Sequence, residues 1–153
     1  MNDAISLETP QLHAMVPLAE VLGIRLVDAR AERVSLELDW RAELCTAGGA
    51  LHGGALMALA DTAGALCAYL NLPSGATGTT TIESKTNLLA AVRSGGVQAS
   101  ATPLHVGNSV VVVETELSAE DRLVAKTTQT QMVLRPQDRG VSDRAAARPR
   151  TSS

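Results

Sequence analysis

The sequence predicts an α+β domain in which a curved antiparallel sheet wraps around one long central helix. Three observations carry that expectation. One stretch, Gly48 to Leu72 (GGALHGGALMALADTAGALCAYLNL), is mostly apolar, rich in alanine and interrupted by a single acid, Asp61. Strand-like segments flank it, two before and four after, the four joined by short turns. A helix apolar nearly all round must be covered by other protein, and short connections make neighbouring strands antiparallel.

Each element has its own signal. Residues 1–10 read as a flexible polar arm and Gln11 to Leu22 as a short amphipathic helix behind Pro10, closed by Gly23. Ile24 to Asp28 reads as a strand. In Ala31 to Trp40 the apolar Val34, Leu36, Leu38 and Trp40 alternate with Ser35, Glu37 and Asp39, the cleanest period of two in the chain. A loop, 41–47, leads into the central helix, and Pro73-Ser74-Gly75 turns the chain out of it. Thr77 to Leu89 is Thr-rich and favours a strand. Strands are expected again over Val97 to Val106, Ser109 to Leu117 and Leu123 to Leu134, separated by turns at Ser94-Gly95-Gly96, Gly107-Asn108 and Ala119 to Asp121. Residues 11–136 thus form one domain. The segment 137–153, low in hydrophobics and rich in charge, is expected to be a disordered tail.

Composition narrows the function. The 153 residues carry a net charge of -3, which gives no footprint for nucleic acid. Trp40 and Tyr69 are the only aromatic residues, so base-stacking platforms are nearly excluded and the core must be aliphatic. Cys45 and Cys67 have neither metal-ligand nor disulfide-framework spacing. No basic segment followed by an apolar one opens the chain, so a cytoplasmic location is expected. The central run is long enough to span a bilayer, yet Asp61 at its centre would cost about 2.5–3.5 kcal/mol there, and no membrane partner is expected. A carboxylate in an apolar run needs a buried partner or a cleft.

Leu51-His52-Gly53-Gly54, with Asp61 nine residues after the histidine, resembles the signature of hotdog-fold acyl-CoA thioesterases of the phenylacetic-acid-degradation and 4-hydroxybenzoyl-CoA type. The runs TTTIESKTNLL, LHVGNS and RLVAKTTQTQ resemble that family's later strands in order and spacing, and the likeness covers about residues 15–135. Three positions depart from it. Thr46 stands where the family often has Asn or Gln, Ala65 where some members carry Ser or Thr, and Asn108 where a basic residue is common.

Thioester hydrolysis needs negative charge stabilised on the carbonyl oxygen and a water delivered to the carbonyl carbon. A helix N-terminus offers unpaired N–H groups, and Gly53 and Gly54 let a ligand approach that backbone closely. Gly53 N–H is therefore the candidate oxyanion donor, and Asp61 the general base or the nucleophile. Thr46 is a candidate for orienting water. His52 has two readings, a ring that bonds backbone to fix the turn or a catalytic group. Gly54, Lys85, Arg93, Asn108 and Ser109 are candidates for holding the CoA portion of the substrate. Gly53 and Asp61, eight residues apart on one helix, are separated by about 12 Å along its axis. A single carbonyl cannot touch both. If both act, they come from two protomers whose helices lie side by side and antiparallel. The resemblance implies such a homodimer with a shared active site, assembling further as a dimer of dimers.

The leading expectation is hydrolysis of an acyl-CoA thioester to free acid and CoA, with no metal and no cofactor, CoA being part of the substrate. A non-catalytic acyl-CoA-binding module is the alternative, disfavoured because a binder has no use for an acid beside a thioester. A hydratase or dehydratase on the same fold is a third. It usually carries a catalytic histidine in another motif, such as a DxNPxH-type run, absent here.

Overall fold

The computed structural model describes residues 7–136. Two short helices come first, α1 (Thr9–Met15) and α2 (Pro17–Leu22). The expected single helix is broken at Pro17, which has no N–H to continue α1 and instead opens α2 at its first position. The first helix also begins earlier than the sequence reading, with Thr9 and Pro10 in its first turn. Gly23 ends α2 at φ +73°, a left-handed conformation that favours glycine.

The strands follow: β1 (Arg25–Arg30), β2 (Arg33–Asp39), β3 (Gly78–Leu88), β4 (Gly96–Val106), β5 (Val110–Ala119) and β6 (Arg122–Leu134). They form one sheet in the order β1-β2-β4-β5-β6-β3, every pair antiparallel. Hairpins join β1 to β2, β4 to β5 and β5 to β6, as the short turns implied. Contrary to expectation, the turn at Ser94-Gly95-Gly96 does not make neighbours of β3 and β4: the segment between them crosses over, so β3 pairs with β6 at one edge and β2 with β4.

The central helix α3 spans Gly53–Leu70, about 27 Å at 1.5 Å per residue. It starts five residues later than the apolar run, because 48–52 form a turn and a bridge between Cys45 and Leu51. Leu59, Ala60, Ala63 and Cys67 are fully buried on it. They meet the inward rows of the sheet: Val34, Leu36 and Leu38 of β2, Ala99 and Ala101 of β4, and Val111, Val113 and Leu117 of β5. Alanines on both surfaces let helix and sheet lie close, so Val and Leu fill the core without Phe. Cys45 and Cys67 are both free. On the outer face Lys126 pairs with Glu114 at 2.9 Å and Glu116 at 3.3 Å.

Candidate active site

Asp61 lies midway along α3, half-buried, on the side facing β6 and β3. The Gln129 side-chain N–H donates to Asp61 Oδ1. Burial raises the Asp61 carboxyl above its usual 3.8, and the Thr81 hydroxyl, hydrogen-bonded to it, pulls it partly back. Thr81 is well suited to that task. Its Oγ1 accepts from Gln129 Nε2 at 3.3 Å and from Gln131 Nε2 at 2.7 Å, which leaves its single O–H free to donate to the acid. A β-bulge between Thr81 and Glu83 alters the register of β3 beside this residue.

The carboxyl also opens onto a cavity of about 420 Å³. Leu12, Met15 and Val16 of the α1 segment form one wall, and Ala65, Leu66 and Tyr69 of α3 the other. The acid in the apolar run therefore has both a buried partner, Gln129, and a cleft.

At the start of α3 the geometry differs. His52 is the N-cap, and its Nδ1 accepts from Gly54 N–H at 2.8 Å, so the ring fixes the turn and occupies that donor. Gly53 N–H sits at the first helical position, where no helical acceptor exists, and has no acceptor among the described residues. It opens onto a separate cavity of about 330 Å³ lined in part by Leu51, Leu56, Leu88 and Leu89. A Cβ at Gly53 would come within 2.5 Å of Leu88 Cδ1, so glycine is what allows that close approach. Within one chain, Gly53 and Asp61 thus face different cavities.

The remaining sequence candidates scatter. Thr46 turns its hydroxyl back on its own loop, toward Ala50 O at 3.4 Å, and within this chain does not reach Asp61. Arg93 donates to Gly48 O, beside the start of α3. Asn108 and Ser109 lie at the opposite end of the helix: Arg135 bonds both Asn108 O at 3.0 Å and Ser74 O at 3.4 Å, just past the α3 C-terminus. Lys85 is exposed on β3, opposite Thr128. One protomer does not gather these groups at one point. Sequence reasoning missed Thr81, Gln129 and Gln131. The signal for the two glutamines is the buried row of β6, Ala125, Thr127, Gln129, Gln131 and Val133, where polar side chains hold positions that face the helix.

A sheet wrapped around one helix, with a desolvated carboxylate halfway along it and a free N–H at its start, belongs to the hotdog class and has the parts for acyl transfer to water. Comparison with known proteins agrees. Residues 48–126 match the family described as the Thioesterase superfamily, and the chain belongs to it, as a thioester hydrolase. It is 32% identical over 119 residues to ComA2 of Bacillus subtilis, provisionally named an esterase, covering 77% of this chain and 94% of the relative. The solved structure of a thioesterase from Haemophilus influenzae superposes with a TM-score of 0.77 at 26% identity, covering 85% of this chain and 92% of that one. A protein from Ralstonia eutropha, described as related to phenylacetic acid degradation, gives 0.71 at 25% identity over 77% and 90% of the two chains.

Proposed function

We propose that this chain hydrolyses acyl-CoA thioesters to free acid and CoA, in a homodimer whose sites each take Gly53 from one protomer and Asp61 from the other. The observation that carries this reading is Asp61, desolvated and hydrogen-bonded at the mouth of an apolar cavity suited to an acyl group. Gly53 N–H polarises the thioester carbonyl. The partner's Asp61 takes a proton from water as the water oxygen bonds to the carbonyl carbon, and collapse of the tetrahedral intermediate expels the CoA thiolate. Burial raises the Asp61 carboxyl and so strengthens it as a base.

Two features support the dimer. The edge strand β3 leaves Ile82 and Leu88 more than half exposed, at 57% and 51%, an open edge of eleven residues. With Gly53 beside the partner's Asp61, an antiparallel pair of α3 helices would also direct Arg93, beside the start of one helix, toward the partner's Asn108 and Ser109, past the end of the other.

Complementation tests the shared site. Gly53 has no positive φ, and His52 before it is extended at ψ 137°, so the backbone accepts Gly53→Pro, which removes the donor. The half-exposed Leu88 can swing aside to admit the ring. Asp61→Asn and Gly53→Pro homodimers should each be nearly inactive on a panel of acyl-CoAs. Unfolded and refolded together in equal amounts, half the dimers become mixed, each with one intact site, and activity returns to about one quarter of wild type. Verified mixed dimers with no recovered activity would refute the shared site.

A further inference from the structure

We propose that Gln129 is the positioning residue for Asp61, held in its working orientation by the absence of a side chain at Gly64. This inference rests on Asp61 as the acting carboxylate of the proposed reaction. Gln129 is fully buried, an unusual place for a carboxamide. Its two ends are treated unequally. The N–H end is committed to Asp61 Oδ1 and to Thr81 Oγ1. The carbonyl end, Oε1, is buried with no hydrogen-bond partner among the described residues, and Thr115 Oγ1 nearby also has none.

A glutamine that only satisfied the core would use both ends. Here the polarity of the group follows the carboxylate. An ionised acid accepts and does not donate, so the reversed amide would set two oxygens against each other. The opposing surface is shaped to match. A Cβ at Gly64 would overlap Gln129 Oε1 and lie 3.2 Å from its carboxamide carbon. Glycine in a helix interior is unfavourable relative to alanine, so its presence opposite Gln129 marks a site where room for the carboxamide outweighs helix propensity. The result is a neutral donor that holds one carboxylate oxygen while the group remains open to the cavity.

The groups facing Asp61 make its titration readable. From β6 the inward positions are Thr127, Gln129 and Gln131, from β5 Thr115, and from β3 Thr79, Thr81, Ser84 and Thr86. None of these titrates in the working range. Among the described residues Tyr69 of α3 is the only other titratable side chain on the cavity wall, and the α1 segment contributes Leu12, Met15 and Val16. Glu114, Glu116 and Lys126 pair with one another on the outer face of the sheet.

The test uses the full chain and two variants of nearly the same length as glutamine, Gln129→Met and Gln129→Glu. The first removes the donor, and the second places a competing carboxyl beside Asp61. Two readouts are taken. The Asp61 carboxyl is titrated by NMR of carbon-13-labelled aspartate, and kcat and KM are measured against pH with hexanoyl-CoA. In both variants the Asp61 titration should move to higher pH, because a hydrogen bond that favours the charged form is gone. The acid limb of the rate profile should move with it. At pH 8, Gln129→Met should lose at least about tenfold in kcat with KM nearly unchanged, the pattern of an interaction felt in the transition state. A merely structural glutamine would lower thermal stability and leave the Asp61 titration and acid limb in place, and that result overturns the proposal. So does failure of both variants to fold. If wild type hydrolyses no acyl-CoA, the functional reading fails, while the NMR titration still decides whether Gln129 governs Asp61.

Discussion

Gly64→Ala probes the packing beneath the site. The added methyl would overlap Gln129 Oε1, and a carboxamide with no exposed surface has little room to retreat. Forcing extra volume into a well-packed core costs about 1–3 kcal/mol. Displacing Gln129 also loosens its hydrogen bond to the Asp61 carboxylate, a class of bond worth about 1.5–3 kcal/mol. Alanine returns about 0.8–1.0 kcal/mol of helix propensity. The net is a loss of about 1.5–5 kcal/mol, and at about 2–4 °C per kcal/mol for a chain of this size the melting temperature should fall by at least about 3 °C. Thermal unfolding followed by circular dichroism at pH 7 measures it. The same substitution on a Gln129→Ala background has nothing to displace, so there it should be neutral or stabilising, a departure from additivity expected only of residues in contact. Equal penalties on both backgrounds, or a Gly64→Ala protein as stable as wild type, would refute the proposed fit of Gly64 against Gln129.

Two further outcomes follow from the same geometry. Asp61→Asn should lower turnover at pH 7 by at least about a hundredfold, within the usual range for a general base, yet raise thermal stability. The sign comes from linkage: between 3.8 and the raised native value the folded state holds more protons than the unfolded chain, so wild-type stability falls as pH rises and the full cost is present above that value. The variant's advantage should therefore be greatest at neutral pH and close as pH falls through the native value to below 3.8; an advantage that grows on acidification would contradict it. Ala65→Phe should partly fill the cavity beside Asp61, raising KM for long acyl-CoAs at least about tenfold more than for acetyl-CoA, and an equal effect on both would place the acyl group elsewhere.

Much of the fold is legible because its signals are local. The period of two in β2 returns as the buried Val34, Leu36 and Leu38, and Gly23 is the helix stop it promised. The central helix announced itself by composition, and its start at Gly53 was legible from the histidine and paired glycines that open it, while Gly48 to His52, small or apolar enough to extend the run, are spent by the backbone on a turn. Pro17 was the clear local signal that went unread. The crossover between β3 and β4 is of another kind. Nothing in Leu89 to Gly95 says that β3 must pair with β6, since that choice is made by surfaces distant in sequence. The candidate acid was legible for a simple physical reason, as one carboxylate in eighteen mostly apolar residues must have a use. Its partners were not, because a glutamine in a Thr-rich strand looks solvated until the pairing register shows which face it occupies.

Gly64 and Gln129 show what a linear reading omits. Taken alone, Gly64 is a small residue in a helix full of small residues, and Gln129 is a polar interruption in an irregular strand pattern. The sheet brings them together at 65 residues' separation, and each then accounts for the other. The glutamine needs a missing Cβ, and the helix tolerates a glycine because its stability comes from packing of its buried face against the sheet rather than from propensity. Gly64 lies one turn beyond Asp61 and so clears the ground beside the carboxylate it serves. Helix, strand and acid are thereby tied at a single point, and a change at any one of the three residues must be felt at the other two.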